Sequence, residues 1–187
     1  MARVLEFGCS AGMVGKTYKE NNTETVWHGV EINSDAAKYA KENLDDAWLL
    51  NANRLEPNSE MLKAPYDMIV YGDVIEHLNY PMESIKQHLK LLKPGGELLA
   101  CIPNIQHWTI MKELLDGNWT YRNSGLLDNT HLRFFTRKSI WKMLNDLKLE
   151  LVQQERYSYE DVAMFGNRRA ERDEILQLLE LTNTALG

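Results

Sequence analysis

Glu6-Phe7-Gly8-Cys9-Ser10-Ala11-Gly12 follows the apolar pair Val4-Leu5 and gives way to Met13-Val14, the order of a strand that turns through a glycine-rich loop into a helix. Glycine lets backbone approach a ligand with no Cβ in the way, and the N–H groups that open the next helix face the crevice above the strand. The loop therefore reads first as a binding site for a nucleotide-like group.

Three other motifs overlap it. Gly8-Cys9-Ser10-Ala11-Gly12 matches the nucleophile elbow of hydrolases with Ser10 as nucleophile, but an elbow follows a strand deep in the sheet and needs an oxyanion-loop glycine run that the chain lacks. Ser10 to Thr17 is one residue from a P-loop: Gly15-Lys16-Thr17 is right, the leading glycine is Ser10, and Met68-Ile69-Val70-Tyr71-Gly72-Asp73 can pass for the acidic strand that holds magnesium. A dinucleotide fingerprint fails at Ser10 and Met13. The downstream residues decide among them.

His28-Gly29-Val30-Glu31 ends the second apolar run with a carboxylate about 20 residues beyond the loop, where an acidic side chain reaches a ribose diol in doubly wound folds. A P-loop protein has no need of it. Asn51-Ala52-Asn53 follows the third run, and a side-chain carbonyl there can accept from an adenine amino group or shape a turn. The fourth run, Tyr66 to Tyr71, leads into Gly72-Asp73-Val74-Ile75-Glu76-His77-Leu78, so polar groups stand at a strand's carboxyl end beside the crevice. Leu92-Lys93-Pro94-Gly95-Gly96 and the apolar Leu98-Leu99-Ala100 come next.

In this order and spacing, Glu6 to Gly12, Glu31, Asp73 to Leu78 and Leu92 to Gly96 resemble the class I S-adenosylmethionine-dependent methyltransferases, over about residues 3 to 102. The resemblance implies an α/β fold: a doubly wound, mostly parallel Rossmann-like sheet with helices on both faces, strand order 3-2-1-4-5 and an antiparallel hairpin edge. It also implies S-adenosylmethionine as cofactor. Glu6, Gly8, Cys9, Ser10 and Gly12 would line its methionine part, Glu31 and Ile32 the ribose side, Asn53 the adenine edge and Asp73 the region beside the sulfonium. Ser10 stands where a glycine is usual, and Asn53 where aspartate is commoner. Asp128-Asn129-Thr130-His131-Leu132-Arg133-Phe134-Phe135-Thr136 resembles a segment of small-molecule or sugar O-methyltransferases, some fused to or encoded beside glycosyltransferases. The expected function is methyl transfer to a hydroxyl of a small-molecule acceptor such as a sugar; a P-loop nucleotide hydrolase and a non-catalytic cofactor-binding module are the alternatives.

Methyl transfer needs donor and acceptor aligned in line, with a base for the acceptor's proton, and histidine suits that near neutral pH. His77 and His131 are the candidate catalytic residues. Glu76-His77 with His107 or His131 offers cation ligands, but no pair has regular metal-site spacing, so no metal is assigned. Trp108, Trp119 and Tyr121 suit ring substrates or simply pack a satellite core.

The 187 residues, 44% hydrophobic and 26% charged, suit one domain with a substantial core. A net charge of −6 argues against a nucleic-acid partner. No run reaches the roughly 20 apolar residues of a membrane span, there is no signal peptide, and Cys9 and Cys101 form no C-x-x-C pair, so a reducing cytosol is expected. The first strand starts almost at Met1, so the chain is expected to be excised from a longer protein, with Met1-Ala2 a cloning remnant and weakened cofactor binding.

Alternating apolar runs and helix-period segments predict strands at Arg3–Phe7, Thr25–Ile32, Ala47–Leu50, Tyr66–Tyr71, Glu97–Ile102 and Leu149–Arg156, and helices at Gly12–Glu20, Ser34–Leu44, Met82–Leu92 and Arg137–Leu147. Ser34 and Thr136 are the expected N-caps, and Pro94-Gly95-Gly96 the stop between a helix and the next strand. Residues 103–131 are expected to be a substrate-cap insertion, and 167–187 a terminal helix.

Overall fold

A computed structural model describes residues 1–54 and 62–155. They fall into two compact units. The first, Met1–Pro103 with Thr130–Phe135, holds a five-stranded sheet in the order β3-β2-β1-β4-β5. Its strands are β1 (Arg3–Phe7), β2 (Val26–Glu31), β3 (Asp46–Leu49), β4 (Tyr66–Gly72) and β5 (Leu92–Cys101), all pairing parallel. Its helices are α1 (Met13–Asn21), α2 (Ser34–Asn43) and α3 (Pro81–His88). The order reverses at β1, between β2 and β4, which puts the crevice over the glycine loop that leaves β1.

Alternation along β1 sorts the core. Val4 packs with Cys9, Trp27, Ala40, Leu44, Ala47 and Val70 on the side covered by α1 and α2. Leu5 and Phe7 point the other way, where Phe7 stacks on His88 of α3 with ring centroids 3.9 Å apart. Parallel strands buried on both faces read as near-continuous apolar runs, which is why these were legible.

Several boundaries moved. The N-cap of α2 is Asn33, not Ser34: its side chain accepts from the backbone N–H groups of Asp35 and Ala36, and amide and hydroxyl caps are equivalent enough for neighbours to compete. The helix expected to reach Leu92 ends at His88 and tightens into a 3-10 turn, Leu89–Leu91. Pro94-Gly95-Gly96 lies within β5 rather than ahead of it, at a register irregularity in which Tyr66 faces Leu92 and Met68 faces Glu97. Gly95 takes φ +75° there, the left-handed backbone used by the glycine class of strand bulge.

The second unit contains α4 (Trp108–Leu115) and α5 (Arg137–Asp146). Residues 103–131, expected only as an insertion, contain the helix α4. Thr136 caps α5 as expected, in a reciprocal capping box with Ser139. Residues 149–155 form no strand, since Leu151 and Val152 are exposed with no ladder partner among the described residues. Arg156 and the expected terminal helix at 167–187 lie outside the described residues, and an antiparallel hairpin edge is not found among the described ones. No described helix is long and apolar enough to cross a membrane.

Candidate functional site

The loop between β1 and α1 alternates into the left-handed region at Gly8 (φ 67°), Ser10 (φ 49°) and Gly12 (φ 78°). Gly8 has a second reason to be glycine, because a Cβ there would collide with the Val74 side chain. The same close approach sets the loop after β4 against the glycine loop. Gly29 in β2 leaves room for the Cys9 side chain, which a Cβ would strike. Cys9 is buried, and burial, with the Glu6 and Glu31 charges, pushes its thiol up to about 12, so it is packing rather than a nucleophile.

Glu31 ties this loop down. Its Oε2 accepts from the Ser10 N–H at 2.8 Å and its Oε1 from the Asn33 N–H at 2.8 Å. Each oxygen keeps a further lone pair, so a ribose diol can donate to a carboxylate already locked in place. Ile32 follows, 65% exposed, an apolar surface at the carboxyl end of β2. The sequence reading missed Asn43: its amide donates to the Ala11 carbonyl at 2.9 Å while its oxygen accepts from Lys16 at 2.9 Å. That bond ties the Lys16 ammonium of α1 to the end of α2, whereas a P-loop lysine reaches over its loop to the phosphates.

The cradle fits S-adenosylmethionine. Two of its positions are closed to a Cβ by neighbouring atoms, and α1 starts with no acidic residue in its first turn and no side-chain cap. Its leading N–H groups and positive dipole end suit a carboxylate such as the one on the methionyl part.

The remaining expected contacts, Glu6, Asn53 and Asp73, each have a protein partner. Glu6 is 3% exposed and accepts from Trp27 Nε1 at 2.8 Å; burial raises its carboxyl to about 7. Asn53 sits in a 3-10 turn, Ala52–Arg54, and its side-chain Oδ1 accepts from the Asn79 N–H at 2.8 Å. Asp73 is exposed, with φ 54°, and its N–H donates to the Cys101 carbonyl.

The two candidate histidines come together. Glu76 and His77 occupy a 3-10 turn, Ile75–His77, and the Glu76 carbonyl accepts from the N–H groups of Leu132 and Arg133, at 2.9 and 3.0 Å. The Arg133 guanidinium also donates to the Asn79 carbonyl. These bonds lay 130–135 on the turn, so the His77 and His131 rings meet edge-on with centroids 4.8 Å apart. Glu76 is buried beneath them, and burial, reinforced by the Asp73 charge, raises its carboxyl to about 7. His107 belongs to the second unit, where its Nδ1 lies 2.9 Å from the Thr109 hydroxyl.

A profile of the family described as "Methyltransferase domain" matches residues 1–154. A ubiquinone biosynthesis O-methyltransferase of Rickettsia conorii is 27% identical over 157 residues, 79% of this chain and 51% of that protein. The chain thus spans about half the length of this curated relative. Among solved structures, a SAM-dependent methyltransferase of Thermotoga maritima aligns with a TM-score of 0.60 at 17% identity, over 81% of this chain and 65% of the other. The plantazolicin methyltransferase BpumL, in complex with SAH, also gives 0.60, at 14% identity, over 95% and 71%. Sheet order, glycine cradle and family match agree: the chain belongs to the class I S-adenosylmethionine-dependent methyltransferase family, with S-adenosylmethionine as its cofactor.

Proposed function

We propose that this domain transfers a methyl group from S-adenosylmethionine to a hydroxyl of a small ring-bearing acceptor, a sugar or a phenol. The observation that carries the reading is the Glu31 carboxylate locked onto the glycine loop through the Ser10 N–H, with acceptor capacity left for a ribose. Gly8, Cys9, Ser10 and Gly12 supply the loop backbone, Ile32 the apolar surface beyond Glu31, and Asp73 an exposed carboxylate where β4 ends. Glu6 and Asn53 support the site by fixing Trp27 and the turn at Asn79. A sulfonium-borne methyl group is already electrophilic, so these residues need only align donor and acceptor.

His77 and His131 are the side chains that promote loss of the acceptor's proton. The O-methyltransferase name of the Rickettsia relative supports oxygen as the methylated atom. The 128–136 likeness supports a sugar, and a glycosyltransferase partner stays with that likeness. The net charge of −6 disfavours a nucleic-acid acceptor.

Calorimetric titration with S-adenosylhomocysteine tests the cofactor site, with ATP and magnesium as contrast. Saturable binding is expected, weakened about tenfold or more in Glu31→Gln, which keeps the side chain's shape but loses half of its acceptors. A labelled-methyl assay on phenols and sugars tests the transfer. Binding without turnover on any hydroxylated acceptor would mean a cofactor-binding module instead.

A further inference from the structure

We propose that Glu76, His77 and His131 form a binding site for a divalent cation of the zinc class, a site that deepens the methyl-transfer reading by giving the two histidines a joint role. One donor atom from each of the three lies within 4.8 Å of the other two, and His131 Nε2 stands 3.9 Å from Glu76 Oε1. The independent observation is Glu76 itself. It is 1% exposed, and neither carboxylate oxygen accepts a hydrogen bond. A buried carboxyl with nothing donated to it is costly, and groups of this kind call for an explanation such as an ion. A cation held against Glu76 supplies what the protein does not.

The surroundings fit ligation. His77 Nδ1 lies 3.1 Å from the Thr130 carbonyl and 3.3 Å from the Thr130 hydroxyl; the carbonyl can only accept and the hydroxyl can accept as well, so a proton on Nδ1 satisfies both and leaves the lone pair on Nε2. A ligating histidine characteristically donates its other ring N–H to a backbone carbonyl in this way, which fixes tautomer and ring together. Two imidazoles and one carboxylate are the donor set of open, three-ligand zinc sites, and nitrogen donors disfavour magnesium and calcium. Bonds of about 2.1 Å put donor atoms about 3.4 Å apart, so the His131–Glu76 pair closes by about 0.5 Å and no pair by more than about 1.4 Å on loading. The donors come from two segments far apart in sequence, so no metal-site spacing marks them.

An open fourth position lets an acceptor hydroxyl approach the cation and become more acidic. On transfer the sulfonium C–S bond breaks with its electron pair left on sulfur, the acceptor oxygen forms the new O–C bond, and the hydroxyl proton leaves to solvent. His77 and His131 then act as ligands.

Calorimetric titration of the whole chain with zinc chloride, and visible absorption on adding cobalt(II), test the site without any acceptor. One equivalent is expected to bind, with the intense cobalt bands of a low-coordinate site. Glu76→Gln and His131→Ala are expected to weaken zinc binding about tenfold or more, while His107→Ala leaves it unchanged. Binding of S-adenosylhomocysteine in the same variants shows that they are folded. No saturable zinc or cobalt binding, undiminished binding in Glu76→Gln and His131→Ala, or preference for magnesium would overturn the site. Zinc binding that depends on the three residues, in a chain that binds no S-adenosylhomocysteine, would uphold the site and remove the cofactor reading. The converse would remove the site alone.

Discussion

Gly8 shows how one residue serves backbone, packing and ligand at once. Its φ of 67° puts an L residue in the left-handed region, and its Cα faces Val74 so closely that a Cβ has no room. Gly8→Ala is therefore expected to cost about 1–2 kcal/mol from the backbone term alone, read by urea unfolding. Contact with Val74 adds to it. Adding Val74→Ala should return the packing part and leave the backbone part, so the double variant should be more stable than the sum of the two single effects implies. The approach of Val74 to Gly8 was not visible in the sequence, because an apolar residue after a strand has no spacing rule that aims it at a loop some 65 positions away. The glycines, Glu31 and the two histidines could be named as candidates because each is a residue type whose backbone freedom or side-chain chemistry singles it out in the sequence.

Among the elements, α2 is the one whose start is decided by a single side chain. Asn33 accepts from two backbone N–H groups of the first turn, at 2.9 and 3.0 Å, and its own N–H donates to Glu31. Asn33→Ala is expected to lose about 1 kcal/mol in denaturant unfolding, and Asn33→Ser to recover most of it, since a hydroxyl oxygen makes the same bond. All five strands were legible from apolar runs, to within a residue or two except at β5. There Pro94-Gly95-Gly96 reads as a stop, yet the strand carries it as an irregularity at its start. The helix α4 does carry a helical period, with Ile110, Met111, Leu114 and Leu115 one turn apart in pairs, but that short run lies in a stretch that reads only as an insertion. Glu76 could be named as a cation ligand but not assigned as one, since what singles it out is burial, a tertiary property.

Across the sheet the two sides of β1 carry buried titratable groups whose effects on stability run in opposite directions. Glu6, on the Trp27 side, has its carboxyl raised by burial to about 7 from an ordinary 4.5. The folded protein then holds a proton that the unfolded chain has released, so stability falls as pH rises from 4.5 to 7 and is level above. His88, 1% exposed on the Phe7 side, is lowered by burial to about 4 from 6.5. Here the unfolded chain holds the extra proton, so stability rises with pH between 4 and 6.5. The two slopes oppose each other over most of this window, and the parent's own curve hides both. Variants separate them. Relative to the parent, Glu6→Gln, whose amide oxygen can still accept from Trp27, should gain on the order of 3 kcal/mol as pH goes from 5 to 8. His88→Gln should do the reverse, with a deficit at pH 8 that shrinks by about 3 kcal/mol toward pH 4. Urea midpoints of the three proteins at each pH, converted with a common slope, measure both differences. Parallel curves would mean that neither group is held off its ordinary titration by the core around β1.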